Sequence, residues 1–299
     1  MIRFERATIA RDGDVVVDQF SLAVPPGQAA AVIGRSGAGK SSLLAAAATA
    51  VPLHAGDILV DGRSVRREPA AVRRLVGYTP DRLPGWPAIR VGEFLELCGG
   101  ESGLRGPALA AAVDKALRLA GLETRRLTGL DRLAAGHAKR LLIARSLLHD
   151  PQVLLLDDPF GGLDPHERAD VERLIEDAHL MGRTVLAAID DALVPGCFTH
   201  LAVMREGRLA AAGPATADLL APGRPLSCRL VCPGRSDEAA RALGRLADDV
   251  RAVDLDAVSC RIIPDRTSIA DLVAGLVHAG LPVAAAGFDP AWTAQLLDD

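Results

Sequence analysis

Eight residues, Gly34-Arg35-Ser36-Gly37-Ala38-Gly39-Lys40-Ser41, constrain the fold of this chain more than any other stretch. They read G-x-x-x-x-G-K-S, follow the apolar run Ala29–Ile33, and lead into a Leu- and Ala-rich segment that starts at Ser41 and Ser42 and runs to Ala50. A strand, a glycine-rich turn and a helix in that order wrap backbone N–H groups around an anion and add the positive end of the helix. Lys40 has the length to reach the outer phosphates, and the Ser41 hydroxyl is suited to ligate Mg²⁺. The expected ligand is a nucleoside triphosphate. Whether it is hydrolysed depends on groups elsewhere in the chain.

The 299 residues suffice for one large domain or two smaller ones. A net charge of −4 sets up no field that favours nucleic acid or an anionic membrane, so no nucleic-acid partner is expected. The five cysteines are scattered and odd in number, which fits reduced thiols. Cys228-x-x-x-Cys232 lies on one expected strand among apolar neighbours with no second ligand pair, so a structural reading is preferred to a metal site. No stretch approaches the ~20 apolar residues that span a bilayer, and Met1-Ile2-Arg3-Phe4-Glu5-Arg6 lacks the apolar core of a secretion signal. The expectation is a cytoplasmic protein that reaches a membrane only through a partner.

Short β-like runs at Val15–Phe20, Ala29–Ile33 and Ile58–Val60 surround the loop, and these strands are expected to be largely parallel. A helical block follows at about 84–149, with helices over Val91–Cys98, Ala108–Ala120 and Ala138–His149. Strand and helix then alternate: Val153–Asp157, the helix Pro165–Met181 with proline at its start, Thr184–Ile189, and a hairpin of Leu201–Met204 and Arg208–Ala212. Residues 221–225 (Ala-Pro-Gly-Arg-Pro) read as a linker. Beyond them the pattern is strand 226–232, helix 236–248, strands 250–255 and 258–263, helix 268–279 and strand 282–287, a split β-α-β-β-α-β order. Arg63, Arg66, Arg67, Arg73 and Arg74 form a basic cluster best read as a solvated helix face.

The order of motifs resembles the ATP-binding subunit of ATP-binding cassette (ABC) transporters over about residues 1–220. Val153-Leu154-Leu155-Leu156-Asp157 resembles the family's Walker B strand, whose Asp holds the Mg²⁺ shell opposite Ser41. Gly162-Leu163-Asp164 is similar to the loop that crosses the dimer interface. Leu133-Ala134-Ala135-Gly136-His137-Ala138-Lys139-Arg140 stands where the signature would be, and Val76-Gly77-Tyr78-Thr79-Pro80-Asp81 at the coupling loop. The resemblance implies an α/β P-loop NTPase core of ABC ATPase type, domain 1–220, carrying the helical insertion. It implies ATP and Mg²⁺ as ligands, a transmembrane permease as partner, and a location at the inner or plasma membrane through that permease. The segment 226–299 resembles small α+β (ferredoxin-like) accessory domains found on some exporter subunits, with Trp292 as a buried anchor or interface residue.

In this family two subunits sandwich ATP, each phosphate loop meeting the other subunit's signature, Leu-Ser-Gly-Gly-Gln. Here Ala134 replaces the serine, Ala135 the first glycine and His137 the glutamine, while Gly136 remains. A hydrogen bond to a charged group is worth about 1.5–3 kcal/mol, so the lost hydroxyl matters. Asp158 occupies the catalytic glutamate position, its carboxylate withdrawn by on the order of 1 Å, a shift that can cost ~10²-fold in rate. Asp190 stands at the switch-histidine position and replaces a donor with an anion facing the γ-phosphate, unless it is protonated or turned away. The structural alternative is that Asp190 or Asp191 caps a short helix before Pro195. Asp81 replaces the coupling-loop glutamine, and near Arg11-Asp12-Gly13 there is no aromatic for adenine. The phosphate and Mg²⁺ groups Lys40, Ser41 and Asp157 are intact, whereas the groups that position water are altered. The resulting expectation is slow or partner-dependent hydrolysis, a heteromeric rather than homomeric dimer, and, as the alternative, a non-hydrolysing ATP-dependent scaffold.

Overall fold

The computed structural model describes residues 1–82, 89–190, 194–215, 226–253, 256–262 and 269–288. The chain opens with two long strands, β1 (Ile2–Arg11) and β2 (Asp14–Val24), then β3 (Ala29–Ile33), α1 (Lys40–Ala47), β4 (Ala55–Val60), β5 (Arg63–Ser64), α2 (Pro69–Leu75) and β6 (Val76–Thr79). The helical block holds α3 (Val91–Glu101), α4 (Gly106–Ala120) and α5 (Ala135–Ser146). After it come β7 (Val153–Asp157), α6 (Pro165–Leu180), β8 (Thr184–Ile189), β9 (His200–Arg205) and β10 (Arg208–Pro214).

Two sheets share the first core. The larger runs β10-β9-β3-β8-β7-β6, with β9, β3, β8, β7 and β6 mutually parallel and β10 antiparallel at the edge. The smaller sheet, β2-β1-β4-β5, is antiparallel throughout. The expectation of parallel pairing around the phosphate loop therefore holds for β3 but not for the runs at Val15–Phe20 and Ile58–Val60. Those two pair with β1, a strand whose charged, alternating sequence gives one buried and one wet face. By contrast β3, β7 and β8 are buried along their whole length, as parallel strands covered on both faces must be. Ala30, Val32, Val153, Leu155, Leu186 and Ala188 face the core shared with α1. Their alternates Ala31, Ile33, Leu154, Leu156, Val185 and Ala187 face α6. A third core, around Phe94, Leu95, Leu117 and Leu141, holds the helical block together.

Gly77 sets how closely β6 can pack on the end of α5. A Cβ there would lie 2.2 Å from the Ser146 carbonyl oxygen and 2.9 Å from Pro151 Cγ. Gly77→Ala is expected to destabilise the chain by about 1–3 kcal/mol, the usual cost of overpacking, read as a lower urea midpoint with unchanged m-value.

The basic cluster is not one helix face. Arg63 lies on β5, Arg66 and Arg67 on the following turn, and Arg73 and Arg74 at the end of α2. Arg63 pairs with Glu68 at 2.9 Å, Arg67 with Asp57 at 3.3 Å, and Arg73 donates to Thr49 Oγ1 at 3.0 Å.

The last unit comprises β11 (Leu226–Val231), α7 (Ser236–Leu243), β12 (Asp248–Ala252), β13 (Ala257–Ile262), α8 (Ile269–His278) and β14 (Ala285–Phe288). Its sheet order, β12-β13-β11-β14, is antiparallel throughout and is that of a ferredoxin-like fold. It has a core of its own, in which Cys228, Cys232 and Cys260 are buried with Leu230, Leu243, Leu272 and Leu276. The expected linker 221–225 and Trp292 lie outside the described residues.

Candidate nucleotide site

Parallel neighbours β3, β8 and β7 end in register, Ile33 beside Ile189 and Ala188 beside Asp157. Whatever follows each strand is therefore gathered at one crevice at the carboxyl ends, the usual ligand position in such sheets. After β3 comes the phosphate loop; at the end of β7 stand Asp157 and Asp158; after β8 comes Asp190.

The loop crest, Arg35, Ser36 and Gly37, is exposed, whereas Gly34 and Ala38 are buried. Gly39 is the N-cap of α1 with φ +99°, and it has no side chain to bond the first N–H groups of that helix. A Cβ at Gly39 would stand 2.3 Å from the Val16 carbonyl oxygen, so only glycine fits both the conformation and the approach. An uncapped helix start behind a glycine turn suits a phosphate group. Ser42, behind it, is buried.

Ser41 Oγ donates to Asp157 Oδ1 at 2.9 Å, which joins the two expected Mg²⁺ groups directly. Burial pushes the Asp157 carboxyl above the usual carboxylate range. The Ser41 hydrogen bond opposes this, and the charges of Asp81, Asp158 and Asp190 push it further up. Such a crowd of carboxylates beside a hydroxyl is relieved by a divalent cation, so the donor set fits Mg²⁺ with a triphosphate.

Lys40 is buried, and its ammonium is fully engaged within the chain. It donates to the carbonyls of Gly34 at 2.7 Å and Arg35 at 2.8 Å, and pairs with Asp190 Oδ1 at 2.6 Å. The Asp190 carboxylate is thus brought onto Lys40, the residue expected to bind phosphate. Asp190 is half exposed; residues 191–193, which include Asp191 and the start of the expected cap, lie outside the described residues.

Asp158 sits in the left-handed region at φ +42°, and its N–H donates to the Ala188 carbonyl at 2.9 Å. A Cβ on Gly161 would lie 1.8 Å from Asp158 Oδ2, so the carboxylate is folded over the Gly161 backbone. The side chain is turned onto its own loop.

Asp81 is held by Lys139, a buried residue of α5. Lys139 Nζ donates to the Asp81 carbonyl at 2.9 Å, to Asp81 Oδ1 at 2.8 Å, and to the Asp158 carbonyl. Burial raises the Asp81 carboxyl, but the hydrogen bond and charge of Lys139, with Arg82, outweigh it and hold the group below the usual carboxylate range. One ammonium therefore ties the coupling loop, α5 and the end of β7 together. No role for Lys139 is apparent from its sequence position alone; its signal is a charge at helical spacing among Gly136, Leu142, Ile143 and Ser146, on the buried side of α5.

Ala134 is the N-cap of α5; Ala134 and Ala135 are exposed and Gly136 is buried. His137 Nδ1 is buried without a hydrogen-bond partner, and burial holds the ring below the usual histidine range. Asp164 caps α6, its carboxylate accepting the Glu167 N–H at 2.8 Å.

A family model described as ABC transporter matches residues 17–161. The chain is similar to the sulfate/thiosulfate import ATP-binding protein CysA of Mycolicibacterium paratuberculosis, at 34% identity over 217 residues, covering 71% of this chain and 59% of that protein. It is similar to the Nod factor export ATP-binding protein I of Paraburkholderia xenovorans, at 31% identity over 215 residues, covering 71% of this chain and 70% of that one. The match to the ABC transporter ced-7 of Caenorhabditis elegans, 31% over 204 residues, spans 67% of this chain but only 12% of that protein. Among solved structures, the dimeric ATP-binding cassette MJ0796 bound to ADP and Pi has TM-score 0.65 at 20% identity, covering 72% of this chain and 98% of that one. The cbiO1 protein from Clostridium perfringens, part of the ABC transporter complex cbiONQ, has TM-score 0.62 at 27% identity, covering 71% and 88%.

Proposed function

The chain belongs to the ABC transporter family as an ATP-binding cassette, and from that premise we propose that it is a tuned-down ATPase subunit that drives a separate membrane permease. The observation that carries this reading is the Ser41–Asp157 pair beside the uncapped start of α1, a ready Mg²⁺–triphosphate site. Lys40 and the loop amides bind phosphates, and Ser41 and Asp157 hold Mg²⁺, which neutralises phosphate charge when bound. Asp158 is the candidate base, Asp190 stands at the switch position, and Asp81 lies at the edge of the crevice. Ala134, Ala135, Gly136, His137 and Asp164 form the face offered to a second subunit.

ATP would draw two such subunits together, and that closure would work the permease. Because Ala134 and Ala135 carry no donor side chain, a partner with a complete signature serves the Lys40 site better than a second copy does. A heteromeric pair is therefore favoured. The relatives named above include both import and export proteins. Export is supported by the small domain after residue 226, which resembles accessory domains of exporter subunits. No helix among the described residues is long and apolar enough to cross a membrane. A second reading, an ATP-dependent scaffold with no useful turnover, is favoured by the folded-back Asp158 and the Asp190–Lys40 pair.

Steady-state ATP hydrolysis by the purified chain tests the choice. Near-background turnover that rises about 10- to 100-fold in Asp158→Glu supports the tuned-down motor, given the cost of ~1 Å misplacement. Turnover that stays at background in Asp158→Glu favours the scaffold. Brisk turnover by the unaltered chain, lost in Asp158→Asn, overturns both.

A further inference from the structure

The start of α5 has an N-cap, Ala134, with no side chain able to bond its free N–H groups. It is nevertheless occupied. Glu167, from the first turn of α6, accepts the Gly136 N–H through Oε1 at 3.1 Å. The other oxygen of the same carboxylate accepts the Asp164 N–H at 3.4 Å. One side chain thus caps two helices at once. A Cβ at Gly136 would stand only 2.6 Å from Glu167 Oε1, so glycine is what admits the carboxylate. Arg125 and Arg140 supply positive charge at this end, with Glu167 and Asp170 as the opposing carboxylates that act on His137.

A helix start attracts one anion well, because its partial positive charge is spread over a few N–H groups. Here the anion is part of the chain. A terminal phosphate arriving from outside would meet Glu167 at contact distance in a closing, drying interface, where like charges repel strongly. Moving Glu167 aside would break both of its backbone hydrogen bonds.

We infer that Glu167 is a specificity-determining residue for subunit pairing: its carboxylate fills the anion position at the start of α5 and makes this face reject a second ATP-loaded copy of the chain. The inference rests on the ATP-driven pairing proposed above and adds which face fails and why. In a mixed pair the two composite sites are unequal. The one built on Lys40 remains open to a partner's signature, and the one facing Glu167 is closed to a partner's nucleotide.

The test uses the full chain, with sedimentation velocity in Mg²⁺ with and without ATP, beside titration with a fluorescent ATP analogue. The unaltered chain is expected to bind the analogue and stay monomeric. Glu167→Gln keeps an acceptor for the Gly136 N–H but removes the charge. It should tighten ATP-dependent dimerisation by at least about tenfold, as should Glu167→Ala, a change of about 1.4 kcal/mol. Affinity for the analogue, set at Lys40, should be unchanged within about twofold. A merely structural cap predicts that Glu167→Gln behaves as the unaltered chain and that Glu167→Ala only melts earlier. ATP binding without a gain in dimer for either variant overturns the inference alone, as does ready ATP-dependent dimerisation of the unaltered chain. Failure of the unaltered chain to bind the analogue overturns the underlying reading as well.

Discussion

Asp190→Asn should bind ATP about 10- to 30-fold more tightly than the unaltered chain, an unusual gain from deleting a charged group at a binding site. Two effects add. In the free chain the Asp190 carboxylate holds Lys40 at 2.6 Å, and ATP must displace it. Asp190 is half exposed, so that pair is worth only about 0.2–1 kcal/mol. In the bound state the same carboxylate faces phosphate. Two unit charges at ~4 Å repel by about 4 kcal/mol at an effective dielectric of 20, and rotation of Asp190 into solvent relieves most of it. A net gain of about 1.4–2 kcal/mol remains. Asparagine keeps the shape and loses both penalties. The gap between the two proteins should shrink as salt is raised, because the exposed side of the interaction is screened. Equal affinities at low salt would mean that Asp190 is a bystander.

Lys40→Ala should have the larger effect with the opposite sign, a loss of about 10²-fold or more in ATP affinity. Charge-assisted hydrogen bonds to phosphate contribute about 1.5–3 kcal/mol each. The substitution also removes the cation that shields phosphate from Asp190. It further strips the Gly34 and Arg35 carbonyls of the donor that now bridges them at 2.7 and 2.8 Å. The two substitutions should not be additive, since Lys40 and Asp190 touch. Isothermal titration of the two single variants and the double variant would give the coupling. An unchanged affinity in Lys40→Ala would remove the basis for a nucleotide site here.

Which parts of this molecule can be read from its sequence follows from how local each part is. The phosphate loop, the β7 strand ending in Asp157 and the alternation after Val153 are short-range patterns, and the structure keeps them within a residue or two. The final β-α-β-β-α-β order is legible too, although α7 ends at Leu243 rather than 248, β12 starts at Asp248 rather than 250 and β14 starts at Ala285 rather than 282. The strand β1 was not read, since its apolar residues are interleaved with Arg3, Glu5 and Arg6. Without β1, the antiparallel membership of β2 and β4 could not be seen. Side-chain contacts at the site were harder still. Lys40 and Asp190, or Gly136 and Glu167, are far apart in sequence and meet only because β3, β7 and β8 end together and α5 packs beside α6. Residue types mark where the chain departs from the resembled motifs; only geometry shows where the charges there go.

The Lys139 tie also makes the consequence of a change at position 81 depend on position 139. Asp81→Gln alone would take a carboxylate from a buried ammonium but leave it the carbonyls of residues 81 and 158. The Asp81 side chain is 42% exposed, so the lost pair is worth about 0.2–1 kcal/mol. Because the two side chains touch, that cost should shrink once position 139 is already neutral. Neither residue has a context-free value: each is worth what the other makes of it.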